Sequence, residues 1–168
     1  ELVSYRDERG LEYIWGGDPA YWPGRNPLLF PIVGMLKEGK IRFDGREYAM
    51  ERHGFARRRE FTPAARGEDW VRLELRESAE TLALYPYSFR LAVEQRLTDT
   101  GFSTAVTVAN PGEGPLPFCL GAHTGFRCPL EAGERFEDYE LVFPERERCP
   151  TLLLRDGLLD RPAALPCL

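Results

Sequence analysis

Turn formers interrupt this chain every 8–12 residues or so, and the apolar runs between them are too short for anything but strands. Its 16 glycines and 14 prolines are spread along 168 residues, which leaves no room for a long helix. The run from Asp69 to Glu77 alternates apolar and charged residues, putting Val71, Leu73 and Leu75 on one face of a half-buried strand. Asp44-Gly45 lies between residues 40–43 and 46–50, and Asp-Gly between two such runs signals a tight hairpin. A second pair is expected across residues 98–101, joining 90–97 to 102–109. Residues 2–6 and 11–15 are short strand candidates around a charged turn, and 140–143 and 151–154 are two more. Residues 78–85 are expected to form one or two helical turns capped by Ser78 and ended by Pro86. Residues 26–36 are apolar enough to be buried, but Pro27 and Pro31 bar them from a central strand. The tail from 156 to 168 reads as loop. No period of 20–50 residues repeats, and a length of 168 residues suits one domain spanning 1–168. The expected class is all-β, an antiparallel sandwich or barrel.

The chemistry concentrates around two histidines, the only two in the chain. Leu116-Pro117-Phe118-Cys119-Leu120-Gly121-Ala122-His123-Thr124-Gly125-Phe126 reads as an apolar strand that loses bulk at Gly121-Ala122 and then presents His123. Shrinking side chains before a polar residue mark a close approach of ligand or backbone. His53 sits in Glu51-Arg52-His53-Gly54-Phe55-Ala56-Arg57. Both imidazoles therefore stand beside Gly and Phe, and imidazole titrates nearer neutrality than any other unperturbed side chain. The pair is a candidate for proton transfer; for each histidine alone, a hydrogen-bonded structural role is the alternative. The aromatic loop around Tyr21 and Trp22 is expected to pack on the core or on a ligand.

The net charge of −5 argues against a nucleic-acid partner, and none is expected. The single basic run, Arg57-Arg58-Arg59, is followed at once by Glu60 and reads as a solvated strand edge. No apolar run approaches the roughly 20 residues of a membrane helix, so no membrane partner is expected. Cys119, Cys128, Cys149 and Cys167 lack paired spacing, which favours reduced thiols and a cytoplasmic location. A zinc site built from His53, His123 and Cys119 or Cys128 is conceivable on ligand chemistry but has no recognisable spacing. No metal and no cofactor are expected.

These pieces together resemble the aldose 1-epimerase (galactose mutarotase) family, in particular its LacX-like branch. The resemblance is carried by Trp15, Asp18-Pro19 and Tyr21-Trp22, and by Pro27-Leu28-Leu29-Phe30-Pro31-Ile32-Val33-Gly34. It continues through Gly45, Tyr48, Met50, His53-Gly54-Phe55-Ala56-Arg57, Phe61, Tyr85-Pro86, Phe89, Val108 and Asn110. Pro117-Phe118, Gly121-Ala122-His123 and Gly125-Phe126 complete it. The resemblance implies a partial antiparallel β supersandwich of the galactose mutarotase-like type, with an open sugar cleft. It implies interconversion of the α and β anomers of a free aldohexose by acid–base ring opening. His123 matches the general acid and His53 the histidine that holds the sugar; Arg57, Trp22 and Phe126 are expected to bind it, with Phe30 lining the same cleft.

The departures set further expectations. The family's basic Glu and a sugar-binding Asp belong to a region beyond Leu168, and the first strands of the family pattern precede Glu1. The chain is therefore expected to be an N-terminal-to-middle portion, with no base of its own. Many relatives carry Arg where this chain has Met35. Glu131, Glu134, Glu137 and Asp138 follow His123 too closely to replace the base and read as a solvated loop. A non-catalytic carbohydrate-binding module is the main alternative, and a hexose-6-phosphate mutarotase, with Arg57 to Arg59 on the phosphate, is another. Uncovered strand edges make a homodimer possible.

Overall fold

Two Asp-Gly dipeptides each make a two-residue hairpin turn. Asp44 and Gly45 both have positive φ, 45° and 80°, the backbone of a two-residue hairpin turn that matches strand twist. Asp156 and Gly157 repeat it with φ of 52° and 79°. The computed structural model describes residues 1–145 and 150–163. In chain order the strands are β1 (Leu28–Leu29), β2 (Lys40–Phe43), β3 (Arg46–Ala49), β4 (Thr62–Arg66), β5 (Trp70–Arg76), β6 (Arg90–Thr98), β7 (Gly101–Ala109), β8 (Gly121–Ala122), β9 (Thr151–Arg155) and β10 (Leu158–Ala163). The sole α-helix among the described residues is α1, Ala79–Leu82. The expected antiparallel, almost helix-free class is what the chain adopts. Its residues group into two compact units, Leu29–Leu120 and Glu1–Leu28 with Gly121–Leu168.

In the unit Leu29–Leu120, β4, β5, β6 and β7 form one antiparallel sheet in sequence order, and β2 pairs with β3. Leu73 faces Val93 and Leu75 faces Leu91 across β5 and β6. Beneath this lies an aromatic core. Phe30, Tyr85 and Phe89 are fully buried, and the Phe30 ring meets Phe55, Tyr85, Phe89 and Phe118 at centroid distances of 5.2–6.1 Å. Such tilted and edge contacts add to the area each ring buries. The Tyr85 hydroxyl donates to the Pro117 carbonyl at 2.8 Å, and burial pushes its pKa well above that of free tyrosine. Ser78 caps α1 as expected: its hydroxyl accepts from Thr81 N–H, while the Thr81 hydroxyl accepts from Ser78 N–H. Residues 26–36 run irregularly, with Leu29 to Ile32 buried.

Phe30 therefore cannot line a sugar cleft, because its whole ring is spent in the core. The stretch before His123 is also less regular than expected. Only Gly121–Ala122 is strand, since Pro115 and Pro117 remove ladder donors; the segment is held by single bonds such as Cys119 N–H to the Pro31 carbonyl, 2.8 Å. Arg57 and Arg58 stand on a 3₁₀ turn, Ala56–Arg58, and not on a strand edge.

In the unit Glu1–Leu28 with Gly121–Leu168, the expected strands at 2–6 and 11–15 reduce to the bridge Arg6–Glu12 and a bridge from Ile14 to Phe126. The Glu12 carboxylate is the reason. It accepts the N–H groups of Tyr5 and Ile14, so a side chain takes donors that a ladder would need. Burial alone would raise this carboxyl, but those bonds, with others from Ser4 and Arg6, hold it down at about 2. Residues 140–143 form no strand; Leu141 and Val142 lie exposed and have no pairing partner among the described residues. The tail contradicts the loop reading up to 163: β9 and β10 form a hairpin, with Pro162 opposite Leu152. Proline is tolerated there because a two-stranded sheet consists of edges. The rest of the tail, with Cys149 and Cys167, lies outside the described residues.

Candidate functional site

His123 is delivered by a turn that packs on a tryptophan. From β8 the chain bends through Thr124 and Gly125, and three bonds pin the bend. His123 N–H donates to the Pro27 carbonyl at 3.2 Å, Gly125 N–H to the Arg25 carbonyl at 2.7 Å, and the Thr124 hydroxyl to the Asn26 side chain at 2.8 Å. The Trp22 indole lies against the His123 imidazole, with centroids 4.8 Å apart and planes 29° apart. Trp22 is fixed in turn. Its N–H donates to the Asp18 carbonyl at 2.8 Å, and its own carbonyl accepts from the Trp15 indole N–H at 2.8 Å. Gly125 lets the layers close: a Cβ there would lie 2.8 Å from Trp22 Cζ3 and 3.0 Å from Trp15 Cβ. His123 is exposed, and among the described residues neither of its ring nitrogens has a hydrogen-bond partner. Phe126, next on the chain, is 64% exposed. Three of the predicted residues, His123, Trp22 and Phe126, thus belong to one unit.

His53 and Arg57 belong to the other. His53 has φ of 68° and Gly54 of 69°, two successive left-handed residues that force a tight turn. His53 N–H donates to the Gly34 carbonyl at 2.8 Å, and Gly34 N–H donates back to His53 Nδ1 at 3.0 Å. An Nδ1 that accepts leaves the proton of the neutral ring on Nε2. Gly54 fits because it has no side chain: a Cβ would sit 2.2 Å from the Phe30 carbonyl oxygen. Arg57 is exposed and donates to the Arg52 carbonyl at 2.9 Å. Its neighbours are ion-paired, Arg58 with Glu51 at 2.7 Å and Arg59 with Glu80.

The loop after His123 holds exposed carboxylates, three of which have partners of their own. Glu131 lies 3.5 Å from Arg9, Asp138 pairs with Arg135, and Glu134 accepts from the Tyr139 hydroxyl. Met35 is 41% exposed. Cys119 and Cys128 are free thiols. Among the described residues no group of three His, Cys, Asp or Glu could hold a metal, and no helix is long and apolar enough to cross a membrane. Sequence reasoning missed the parts played by Gly34 and Gly125. Each works through backbone position alone, and nothing in the local sequence separates them from an ordinary turn glycine.

Residues 1–156 match the family model for aldose 1-epimerase. The plasmid-encoded and chromosomal LacX proteins of Lactococcus lactis subsp. lactis are each 39% identical over 176 aligned residues, which take in all of this chain. The chain spans 59% of the length of those two relatives. Among solved structures, a galactose mutarotase related enzyme from Lactobacillus acidophilus superposes with a TM-score of 0.89 at 31% identity, over 95% of this chain and 54% of that one. A galactose mutarotase-like protein from Lactobacillus casei gives a TM-score of 0.74 at 36% identity, over 79% of this chain and 45% of that one.

Proposed function

The chain belongs to the aldose 1-epimerase family, and on that premise we propose that it carries the acid side of a site interconverting the α and β anomers of a free aldohexose. His123 is the proton donor. It protonates the ring oxygen while a base takes the proton of the anomeric hydroxyl. The bond from C1 to the ring oxygen breaks, the carbonyl forms, and rotation about C1–C2 turns its other face inward. Reclosure returns the first proton to His123 and the second to the hydroxyl, so no atom is gained or lost. His53 holds a sugar hydroxyl, and Arg57, Trp22 and Phe126 complete the sugar contacts.

The observation that carries this reading is the presentation of His123: exposed, braced on one face by Trp22, with neither nitrogen engaged among the described residues. A proton donor must reach its acceptor at hydrogen-bond distance, and a nitrogen already bonded within the fold could not. The base is assigned to none of Glu131, Glu134, Glu137 or Asp138; Glu131, Glu134 and Asp138 already have partners, in Arg9, Tyr139 and Arg135 respectively.

That point favours a second reading for this polypeptide alone, a carbohydrate-binding module without catalysis, and Met35 in place of a cationic sugar contact favours it too. A phosphosugar substrate is not favoured, since Arg58 and Arg59 already neutralise Glu51 and Glu80. The test is polarimetry of freshly dissolved α-galactose or α-glucose. We expect the 168 residues to leave the rate near the uncatalysed value, and a chain continued through the remaining length of its relatives to speed it. His123→Ala in the longer chain should remove roughly 10²–10⁴-fold of rate. Rapid mutarotation by the 168 residues, or an active His123→Ala, would refute the assignment.

A further inference from the structure

We infer that Trp22 is the positioning residue for His123, acting through the imidazole face. This role rests on the reading of His123 as proton donor. An imidazole gives and takes protons at its edge, in the ring plane, so a partner on its face restrains the ring without occupying a nitrogen. Enzymes more often orient a histidine by hydrogen-bonding its second nitrogen, and His53 is held that way, through Gly34 N–H on Nδ1. His123 has no such bond among the described residues, and it is exposed. Left alone, it would sample its rotamers freely.

The stack replaces the missing bond, and the surrounding structure is built to maintain it. The Trp22 backbone is held by its N–H on the Asp18 carbonyl and by the Trp15 indole N–H on its own carbonyl. Any side chain at Gly125 would push the His123 turn off the indole. One indole face is thereby committed to His123.

Histidine-labelled protein tests this by nuclear magnetic resonance, with the two imidazoles told apart by His53→Gln. The wild type should show cross-relaxation between the His123 and Trp22 ring protons, and His123 signals moved upfield by the indole ring current. Trp22→Leu should return those signals to free-histidine positions, Trp22→Phe should restore much of the displacement, and the Leu91 methyl signals should stay in place in both. His123 signals at free-histidine positions in the wild type, without cross-relaxation to Trp22, would overturn the inference. A displacement that survives Trp22→Leu would overturn it equally. Added galactose separates the two claims: it should shift His123 in the wild type and less so in Trp22→Leu. A stacked His123 that ignores galactose would refute the sugar reading and with it the positioning role. An equal galactose response in Trp22→Leu would refute the positioning role alone.

Discussion

Replacing Gly54 by alanine should be among the most damaging single-methyl changes the chain can suffer. An added Cβ would stand 2.2 Å from the Phe30 carbonyl oxygen, 2.5 Å from its carbon and 2.7 Å from Pro31 N. All three are backbone atoms, so no side chain can swing aside. Alanine at φ of 69° costs about 1–2 kcal/mol before any clash. Relief means displacing the Phe30 carbonyl, which accepts Phe55 N–H at 3.0 Å and Ala56 N–H at 3.2 Å. Leaving those buried donors poorly paired costs roughly 1–3 kcal/mol. Moving Phe30 also disturbs the core ring that touches Phe55, Tyr85, Phe89 and Phe118, a disturbance of about 1–3 kcal/mol. The sum, about 3–8 kcal/mol, rivals the whole stability of an ordinary domain. Gly45→Ala is the control. Its φ is 80°, yet nothing lies within 4 Å of the added Cβ, so it should lose only the conformational term, about 1–2 kcal/mol. Urea unfolding followed by near-ultraviolet circular dichroism compares the two. A Gly54→Ala protein no less stable than Gly45→Ala would refute the argument that backbone contact, and not φ, dictates glycine beside His53.

Two further outcomes follow from local structure. The Glu12 carboxyl, at about 2 against an ordinary 4.5, stabilises the fold fully above pH about 4.5 and loses that contribution as pH falls through about 2; Glu12→Gln should therefore cost about 1–2 kcal/mol at pH 7 after allowance for solvent screening, with the deficit shrinking below pH 4, as read by denaturant midpoints across that range. Ser78→Ala removes the acceptor for Thr81 N–H and should cost about 1 kcal/mol in the same assay, whereas Ser78→Asp, which keeps an acceptor, should cost little.

The elements that sequence reveals are those whose cause is local. Asp44-Gly45 specifies its own turn, Val71, Leu73 and Leu75 specify a face, and Ser78 specifies a cap, because each effect acts over a few residues. The failures have a different physical character. Residues 2–6 and 11–15 alternate well enough for strands, yet one carboxylate, Glu12, takes two backbone donors and leaves only bridges. Residues 140–143 have strand composition but find no partner among the described residues, and a strand is a property of a pair. The β9–β10 hairpin was there to be read at Asp156-Gly157; the nearby prolines obscured it, although proline is unremarkable on an edge.

The candidate site divides along the same line. The histidines and their glycine neighbours are visible in the sequence because they are told by residue type alone. What orients each ring is not, because it depends on partners brought close by folding: Gly34, 19 residues from His53, and Trp22, on the far side of the chain's middle third from His123. The two solutions differ in consequence. A backbone N–H on Nδ1 fixes both the tautomer and the direction of His53, so that ring is set to donate through Nε2. A face stack fixes direction but leaves the tautomer of His123 open, so either nitrogen can carry the proton. A residue that must give up a proton and recover it gains from that freedom, while one that only holds a hydroxyl gains from its absence. The contrast in bracing fits the exchanging role proposed for His123 and the holding role proposed for His53.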